Sequence, residues 1–223
     1  MISFNENMAY EKFTRKDKKK ITEDWASEFP DFTIYKPMHL IRRNGPFLCG
    51  LHFATYSNND SYEVIFHIHS LMTEFPIISL GVNNSLTNKH NVSESITLQW
   101  HHNHFKSISE RMRQKITLLQ KSNLKLEDLS EYIENNMSDW ELYAFESLIL
   151  LYFKLGKSKK AFDELTFYKN KISDWPENIK TKFNESTWKE DLILLMNHEK
   201  LDQTINSELE KFKLSEIKDF GII

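Results

Sequence analysis

The chain has 223 residues, of which 40% are hydrophobic, so it can bury a core as one large domain or two small ones. Its 29 basic and 32 acidic residues give a net charge of −3, which disfavours nucleic acid as a partner. One cysteine excludes an intramolecular disulfide, and a reducing compartment is the simplest setting. The sequence shows no secretory signal. It also has no apolar run that approaches the roughly 20 residues needed to span a membrane. We therefore expect a cytoplasmic protein without a membrane partner.

The first predicted element is a helix within residues 1–29. Thr14 followed by Asp17 matches a capping box, in which each side chain bonds the other residue's backbone N–H. One apolar face recurs at every fourth residue and comprises Ile21, Trp25 and Phe29. Pro30 would end this helix, because proline lacks the N–H that a helix interior needs.

Residues 31–102 change to alternating apolar and polar positions, which indicates strands. The strand-like runs are 38–43, 47–56, 62–70, 77–82 and 96–102, preceded by a short alternation at 32–34. Asn44-Gly45 predicts a tight hairpin, since both residues tolerate the positive φ of its two turn positions. Five or six strands joined by short turns predict an antiparallel meander. A meander would place the 77–82 strand between 62–70 and 96–102.

Beyond residue 104 the apolar spacing becomes helical, in segments that continue to about residue 213. The expected fold is therefore α+β. Residues 1–103 would form the N-terminal helix and the antiparallel sheet, and residues 104–223 an all-helical half packed against it. We expect a core that includes Trp25, Phe66, Ile68, Leu98, Phe145, Leu148, Tyr152 and Leu165.

The large and small side chains of residues 142–168 follow a helix-pair pattern. Large residues of the first helix are Phe145, Leu148 and Tyr152; Gly156 ends that helix, Ala161 sits where the two helices approach, and Leu165 follows. In these residues the segment resembles one tetratricopeptide-type repeat. Ile149 and Ser173 depart from that pattern, which has a small residue and a proline there. The resemblance implies a helical hairpin; a peptide groove would need several such repeats.

Three histidines carry one functional hypothesis. His67 and His69 are two residues apart in a predicted strand and share a face with Glu63, while His101 falls on the polar face of the last predicted strand. Three imidazoles and a carboxylate would suit a first-row metal, as in a metal-dependent hydrolase. The intervening strand of a meander would hold His101 about 10 Å from the other two, however. We therefore expect no metal here and keep the hydrolase as the alternative.

The predicted hairpin tip carries another hypothesis. Arg42 and Arg43 come directly before the turn, and guanidinium groups suit carboxylates or phosphates. Tyr35 and Tyr56 lie on the neighbouring runs, and Arg and Tyr are enriched at interaction hot spots. We expect these four residues to contact a partner. The basic run Arg15–Lys20 offers a second surface for phosphate or an acidic partner.

Known catalytic motifs give no support for an enzyme, although they leave the question open. The chain contains no H-E-x-x-H, G-x-S-x-G or P-loop pattern, and five glycines are few for a loop that cradles a nucleotide. We expect no cofactor. The function that fits best is a non-catalytic cytoplasmic protein-binding module. It would be a bacterial inhibitor or immunity-type protein that blocks a partner, such as a toxin, by steric occlusion.

Overall fold

The computed structural model describes residues 12–56, 60–138, 141–181, 183 and 185–223. The predicted order of an N-terminal helix, an antiparallel sheet and a helical remainder is confirmed. Seven of the eight side chains expected in the core are buried: Trp25, Phe66, Ile68, Phe145, Leu148, Tyr152 and Leu165. Within the described residues, no helix combines the length and apolar character that crossing a bilayer requires.

Helix α1 (Arg15–Glu28) begins at the predicted capping box; of the region 1–29 that was predicted to be helical, residues 1–11 lie outside the described residues and residues 12–14 are not helical. The Thr14 side chain accepts a hydrogen bond from the Asp17 backbone N–H at 3.2 Å, and Asp17 accepts one from the Thr14 backbone N–H at 2.8 Å. This reciprocal cap satisfies two backbone donors that a helix start leaves without partners. The predicted apolar face is buried, with Ile21 and Trp25 fully covered.

The sheet has the strands β1 (Thr33–Lys36), β2 (His39–Asn44), β3 (Phe47–Thr55), β4 (Ser61–Ser70), β5 (Val82–Ser85) and β6 (Ile96–Thr97). Their order is β1-β2-β3-β4-β5, the path of a meander, and β6 pairs with β4. Thr33 lies opposite Ile41, and Tyr62 lies opposite Ile96, both in antiparallel register.

Three expectations for the last strands are wrong. Of the run 77–82 only Val82 is in a strand, where it opens β5. Strand β6 pairs directly with β4, so β5 does not separate them. The run 96–102 leaves the sheet after Thr97, whose hydroxyl accepts from the Trp100 backbone N–H at 3.2 Å and caps a helix instead. Leu98, expected in the core, is the first residue of that helix and only half-buried.

The hairpin between β2 and β3 turns one residue later than predicted. Asn44 is the last residue of β2 and is fully buried. Gly45 and Pro46 form the turn, with Gly45 at φ +55°. Proline fixes a negative φ, so the turn follows the type II′ rule, with glycine first, rather than needing positive φ twice. The Asn44 amide donates instead to the backbone oxygens of Ser122 at 2.8 Å and Gly221 at 3.1 Å.

The helices after the sheet are α2 (Leu98–Lys115), α3 (Leu126–Asn136), α4 (Leu142–Lys154), α5 (Ser158–Ser173), α6 (Glu177–Lys180), α7 (Glu185–Leu195) and α8 (His198–Lys211), with a 3₁₀ turn at Thr117–Leu119. The predicted helical hairpin is formed by α4 and α5. Gly156 joins them at φ +73°, a conformation that glycine adopts without strain. Phe145 of α4 stacks on Tyr168 of α5, with ring centroids 4.1 Å apart.

The chain divides into two compact units, each made of several segments. The first comprises the described residues of Met1–Ile41, Gly50–Phe66 and Ser85–Gln120. The second comprises the described residues of Arg42–Cys49, His67–Asn84 and Lys121–Ile223. Helix α2 lies wholly in the first unit and runs through residue 103, the expected end of the sheet half. The division at residues 103 and 104 stays a prediction.

Candidate binding site

Helices α1 and α2 pack side by side in the first unit and run in the same direction. Three contacts join them, and residue numbers rise on both helices together: Asp24 with His101, Trp25 with Phe105, and Glu28 with Arg113. The first turn of α2, which holds His101, therefore lies beside the third turn of α1, which holds Asp24.

A buried chain of hydrogen bonds fixes this helix pair. Asp24 Oδ2 lies 3.2 Å from His101 Nε2, and a carboxylate can only accept, so Nε2 carries the proton. The other nitrogen, Nδ1, of the neutral ring then accepts from the Tyr62 hydroxyl at 2.7 Å. The Tyr62 oxygen in turn accepts from Trp25 Nε1 at 3.1 Å. Lys20 forms an ion pair with Asp24 at the outer end of the chain.

The charges along this chain follow from burial. Desolvation lowers the pKa of His101, so the imidazole is neutral at pH 7. Burial alone would raise the pKa of Asp24, but hydrogen bonds from Lys20 and His101 outweigh it, and the net shift is downward. Both nitrogens of His101 are engaged and its side chain is 1% exposed. The residue therefore holds the helices in place and has no free nitrogen to exchange protons with a substrate.

A cleft of about 630 Å³ opens beside this chain. It is lined by Lys20 and Asp24 from α1 and by residues 101–107 from α2. At its margin, Trp100 is 46% exposed and stacks on His104, with ring centroids 3.7 Å apart. His104 also donates through Nδ1 to the Trp100 backbone oxygen at 3.2 Å. The indole thus packs on a ring that is itself hydrogen-bonded to the backbone of Trp100.

The N-terminal part of α1 is basic. Lys19 pairs with Glu23 at 3.7 Å, whereas Arg15, Lys16 and Lys18 form no ion pair within the described residues. Hydrogen bonds from Thr14 lower the pKa of Asp17. We call the surface made by Arg15–Lys20, Trp100 and the cleft the α1–α2 face.

The four residues predicted at the hairpin have different surroundings. Arg42 is 1% exposed, and its Nε donates to Asn44 Oδ1 at 2.9 Å, so the expectation that this guanidinium is presented at the tip is wrong. Arg43 is ion-paired with Asp219 at 3.3 Å. Tyr35 packs edge-on against His39, with ring centroids 5.5 Å apart. Tyr56 is 58% exposed. A role for these residues in partner binding stays a prediction.

The predicted metal residues are also placed differently from the expectation. His67 and His69 are fully buried, because the end of β4 is covered on both faces. His101 belongs to α2, so its assignment to a strand is wrong. Glu63 accepts from the Tyr56 hydroxyl at 2.9 Å. Across the part of the chain that the structure describes, no group of three His, Cys, Asp or Glu side chains could hold a metal ion.

Sequence reasoning missed the α1–α2 face apart from its basic run. One signal was present: Thr97 is a favoured N-cap residue, and Trp100 and His104 are then one helical turn apart. The contacts of His101 with Asp24 and Tyr62 had no local signal. Compared with known protein families, curated proteins and solved structures, the chain matches none of them. Its function is therefore inferred from its own residues.

Proposed function

We propose that this chain is a non-catalytic protein-binding module and that the α1–α2 face is its binding surface. The observation that carries this proposal is Trp100, a large indole that is half-exposed and held by His104. Tryptophan is enriched at interaction hot spots, where a few residues supply most of the binding energy. A side chain that is already ordered loses little conformational entropy on binding.

The chemistry of the face favours an acidic protein surface as the partner. Arg15, Lys16 and Lys18 lie in the first turn of α1, and the dipole of that helix adds positive potential there. Such a basic segment speeds the encounter with an acidic surface and fixes its orientation. The net charge of the whole chain is −3, which favours a protein over nucleic acid.

The mode of action that we propose is steric occlusion by a preformed surface. The hydrogen bonds among Asp24, His101 and Tyr62 fix α1 against α2, so the face needs no rearrangement to bind. In a bacterial cytoplasm this action suits an inhibitor of the immunity type, which covers the active site of a toxin. His101 then serves as a positioning residue and takes no part in proton transfer.

Site-specific photocrosslinking in cells of the natural source tests the surface. A photoreactive phenylalanine analogue replaces Trp100 in one variant and Phe162 in the control. Both native side chains are 46% exposed, and Phe162 lies on α5. We expect one protein to be captured from position 100 and not from position 162. Equal capture from both positions, or capture from neither, would contradict the proposal.

Affinity for the captured protein provides the quantitative test. Trp100→Ala should weaken binding about 30-fold, the effect of losing a hot spot worth about 2 kcal/mol. Phe162→Ala should leave the affinity unchanged. Lys16→Glu with Lys18→Glu should slow association and flatten its salt dependence, because this basic segment steers the encounter. An unchanged affinity for Trp100→Ala would exclude the α1–α2 face as the binding surface.

A further inference from the structure

A second, smaller cavity lies in the second unit, between α4 and α7. It has a volume of about 180 Å³. Leu142 and Glu146, one turn apart on α4, form one wall, and Trp188, Leu192 and Leu195 on α7 form another. These positions share a face of each helix because they are separated by three or four residues. We call this cavity the α4–α7 pocket.

Glu146 is the one α4 carboxyl in this otherwise apolar wall. Its Oε1 accepts from the Trp188 indole Nε1 at 2.9 Å, and its other oxygen has no hydrogen-bond partner within the described residues. No lysine or arginine of the described part of the chain forms an ion pair with it. Burial raises the pKa of Glu146 against the opposing effect of the indole hydrogen bond. Glu146 is half-buried, and the charged form of a partly desolvated carboxylate is stabilised by a cation that enters beside it.

The other features of the pocket restrict the kind of cation. Because Oε1 of Glu146 already accepts from Trp188, its other oxygen is the freer acceptor, and an ammonium needs only one such oxygen, whereas a guanidinium is bound best by two. Asp191 adds a second negative charge to the lining, and Phe183 adds a second aromatic ring. Aromatic rings favour a nearby cation. The volume is below the roughly 300–1,000 Å³ of sites for drug-sized ligands, so one side-chain-sized group fits.

We propose that the α4–α7 pocket binds an alkylammonium group, with the ammonium at Glu146 and the methylene chain along Leu142, Trp188 and Leu192. A lysine side chain of another protein and a small free amine both present this chemistry. The proposal is independent of the α1–α2 face, which belongs to the first unit. Either can fail without the other.

The indole N–H of Trp188 gives a direct readout, since it bonds the group that would meet the cation. The NMR signal of this indole N–H in the full chain is the one that disappears in the Trp188→Phe variant. The chemical shift of that signal is then followed while a ligand is added. The probes are n-butylammonium, Nα-acetyl-lysine amide, Nα-acetyl-arginine amide and neutral n-butanol. We expect a saturable shift with the first two and at least tenfold weaker binding of the others. No saturable shift with either amine, or equal binding of n-butanol, would overturn the proposal.

Two variants and a matched control separate binding from folding. Glu146→Gln keeps an oxygen for Trp188 and removes the charge, so amine binding should fall at least tenfold. Leu195→Phe fills the pocket from its half-exposed edge and leaves Glu146 intact, with the same expected loss. Glu164→Gln on α5 is the control, because burial also raises the pKa of that carboxyl. Unchanged amine binding in both pocket variants would overturn the site.

Comparing the affinities of the two amines shows whether the natural ligand is a lysine of another protein or a small free amine. Tighter binding of Nα-acetyl-lysine amide than of n-butylammonium would identify a lysine of a protein as the natural occupant, since the peptide groups then add contacts. Tighter binding of n-butylammonium would identify a small free amine. Both results support the pocket.

Discussion

The two units bury a histidine in different ways. In the first, each ring nitrogen of His101 has a partner, Tyr62 on one side and Asp24 on the other. In the second, Nδ1 of His69 accepts from the Ser79 backbone N–H at 3.1 Å and lies 3.0 Å from the Tyr143 hydroxyl, while Nε2 is buried without a partner in the described residues. Burial lowers the pKa of both rings, that of His69 to about 4.

This difference shows what a buried histidine contributes in each place. His101 connects a helix to a second helix and to a strand, so its hydrogen bonds fix the tautomer and the position of the α1–α2 face. His69 connects a strand to a nearby loop and to α4, and the proton on its buried Nε2 is an unsatisfied donor. Both histidines make the folded state sensitive to acid, because burial lowers both pKa values, and His101 in addition fixes the geometry of the α1–α2 face.

The apolar cores of the two units should lose similar stability when a buried phenylalanine is truncated, although their buried histidines differ. Phe66 of the first unit and Phe145 of the second are both fully buried. Replacing either by alanine should lower the free energy of unfolding by about 3–5 kcal/mol, because a cavity replaces the ring. Denaturant titration measures the loss. A loss below about 1 kcal/mol at either site would show that this position is not part of a core.

Acid should act on the second unit through His69. In the unfolded chain His69 has a pKa of 6.5 and is protonated below that pH, whereas in the native state the ring stays neutral down to about pH 4. The free energy of unfolding should therefore fall by up to about 3 kcal/mol as the pH drops from 6.5 to 4. In His69→Phe this part of the fall should disappear, while His39 still titrates with a native pKa of about 3. An identical pH profile in the variant would contradict the assignment.

Removing one hydroxyl should break the hydrogen-bonded chain of the first unit. Tyr62→Phe leaves Trp25 Nε1 and His101 Nδ1 without a buried partner, and should cost about 1–3 kcal/mol of unfolding free energy. Tyr56→Phe is the control, because the Tyr56 hydroxyl bonds Glu63 at the exposed surface. Its removal should change the free energy of unfolding by less than about 0.5 kcal/mol. Equal losses in the two variants would mean that the buried chain adds nothing specific.

The smallest expected effect is at the start of α1. Thr14→Ala removes the capping hydroxyl and should cost about 1 kcal/mol, whereas Thr14→Ser keeps the oxygen and most of the stability. Thermal unfolding of both variants checks this. If the alanine variant matched the parent chain, the capping box would not contribute to the stability of the helix that carries Asp24.

Local spacing was sufficient to predict several elements. The Thr14 cap, the end of α1 before Pro30 and the α4–α5 hairpin around Gly156 depend on residues within a few positions of each other, and the structure has all three. The order of β1 to β4 was also predictable, because short turns bring successive strands together. The start of α2 was not, since three alternating residues, Ile96, Leu98 and Trp100, fit a strand as well as a capped helix.

The sequence by itself determined the α+β class, the capped first helix, the order of β1 to β4 and the helical hairpin, because periodicity and turn chemistry act over a few residues. Tertiary structure alone decided which polar groups are buried. Asn44 bonds Ser122 and Gly221, and His101 bonds Asp24, all of them distant in the chain. A hydrogen bond between distant residues forms only after folding brings them together, so no local sequence pattern predicts it. The α1–α2 face and the α4–α7 pocket depend on such contacts.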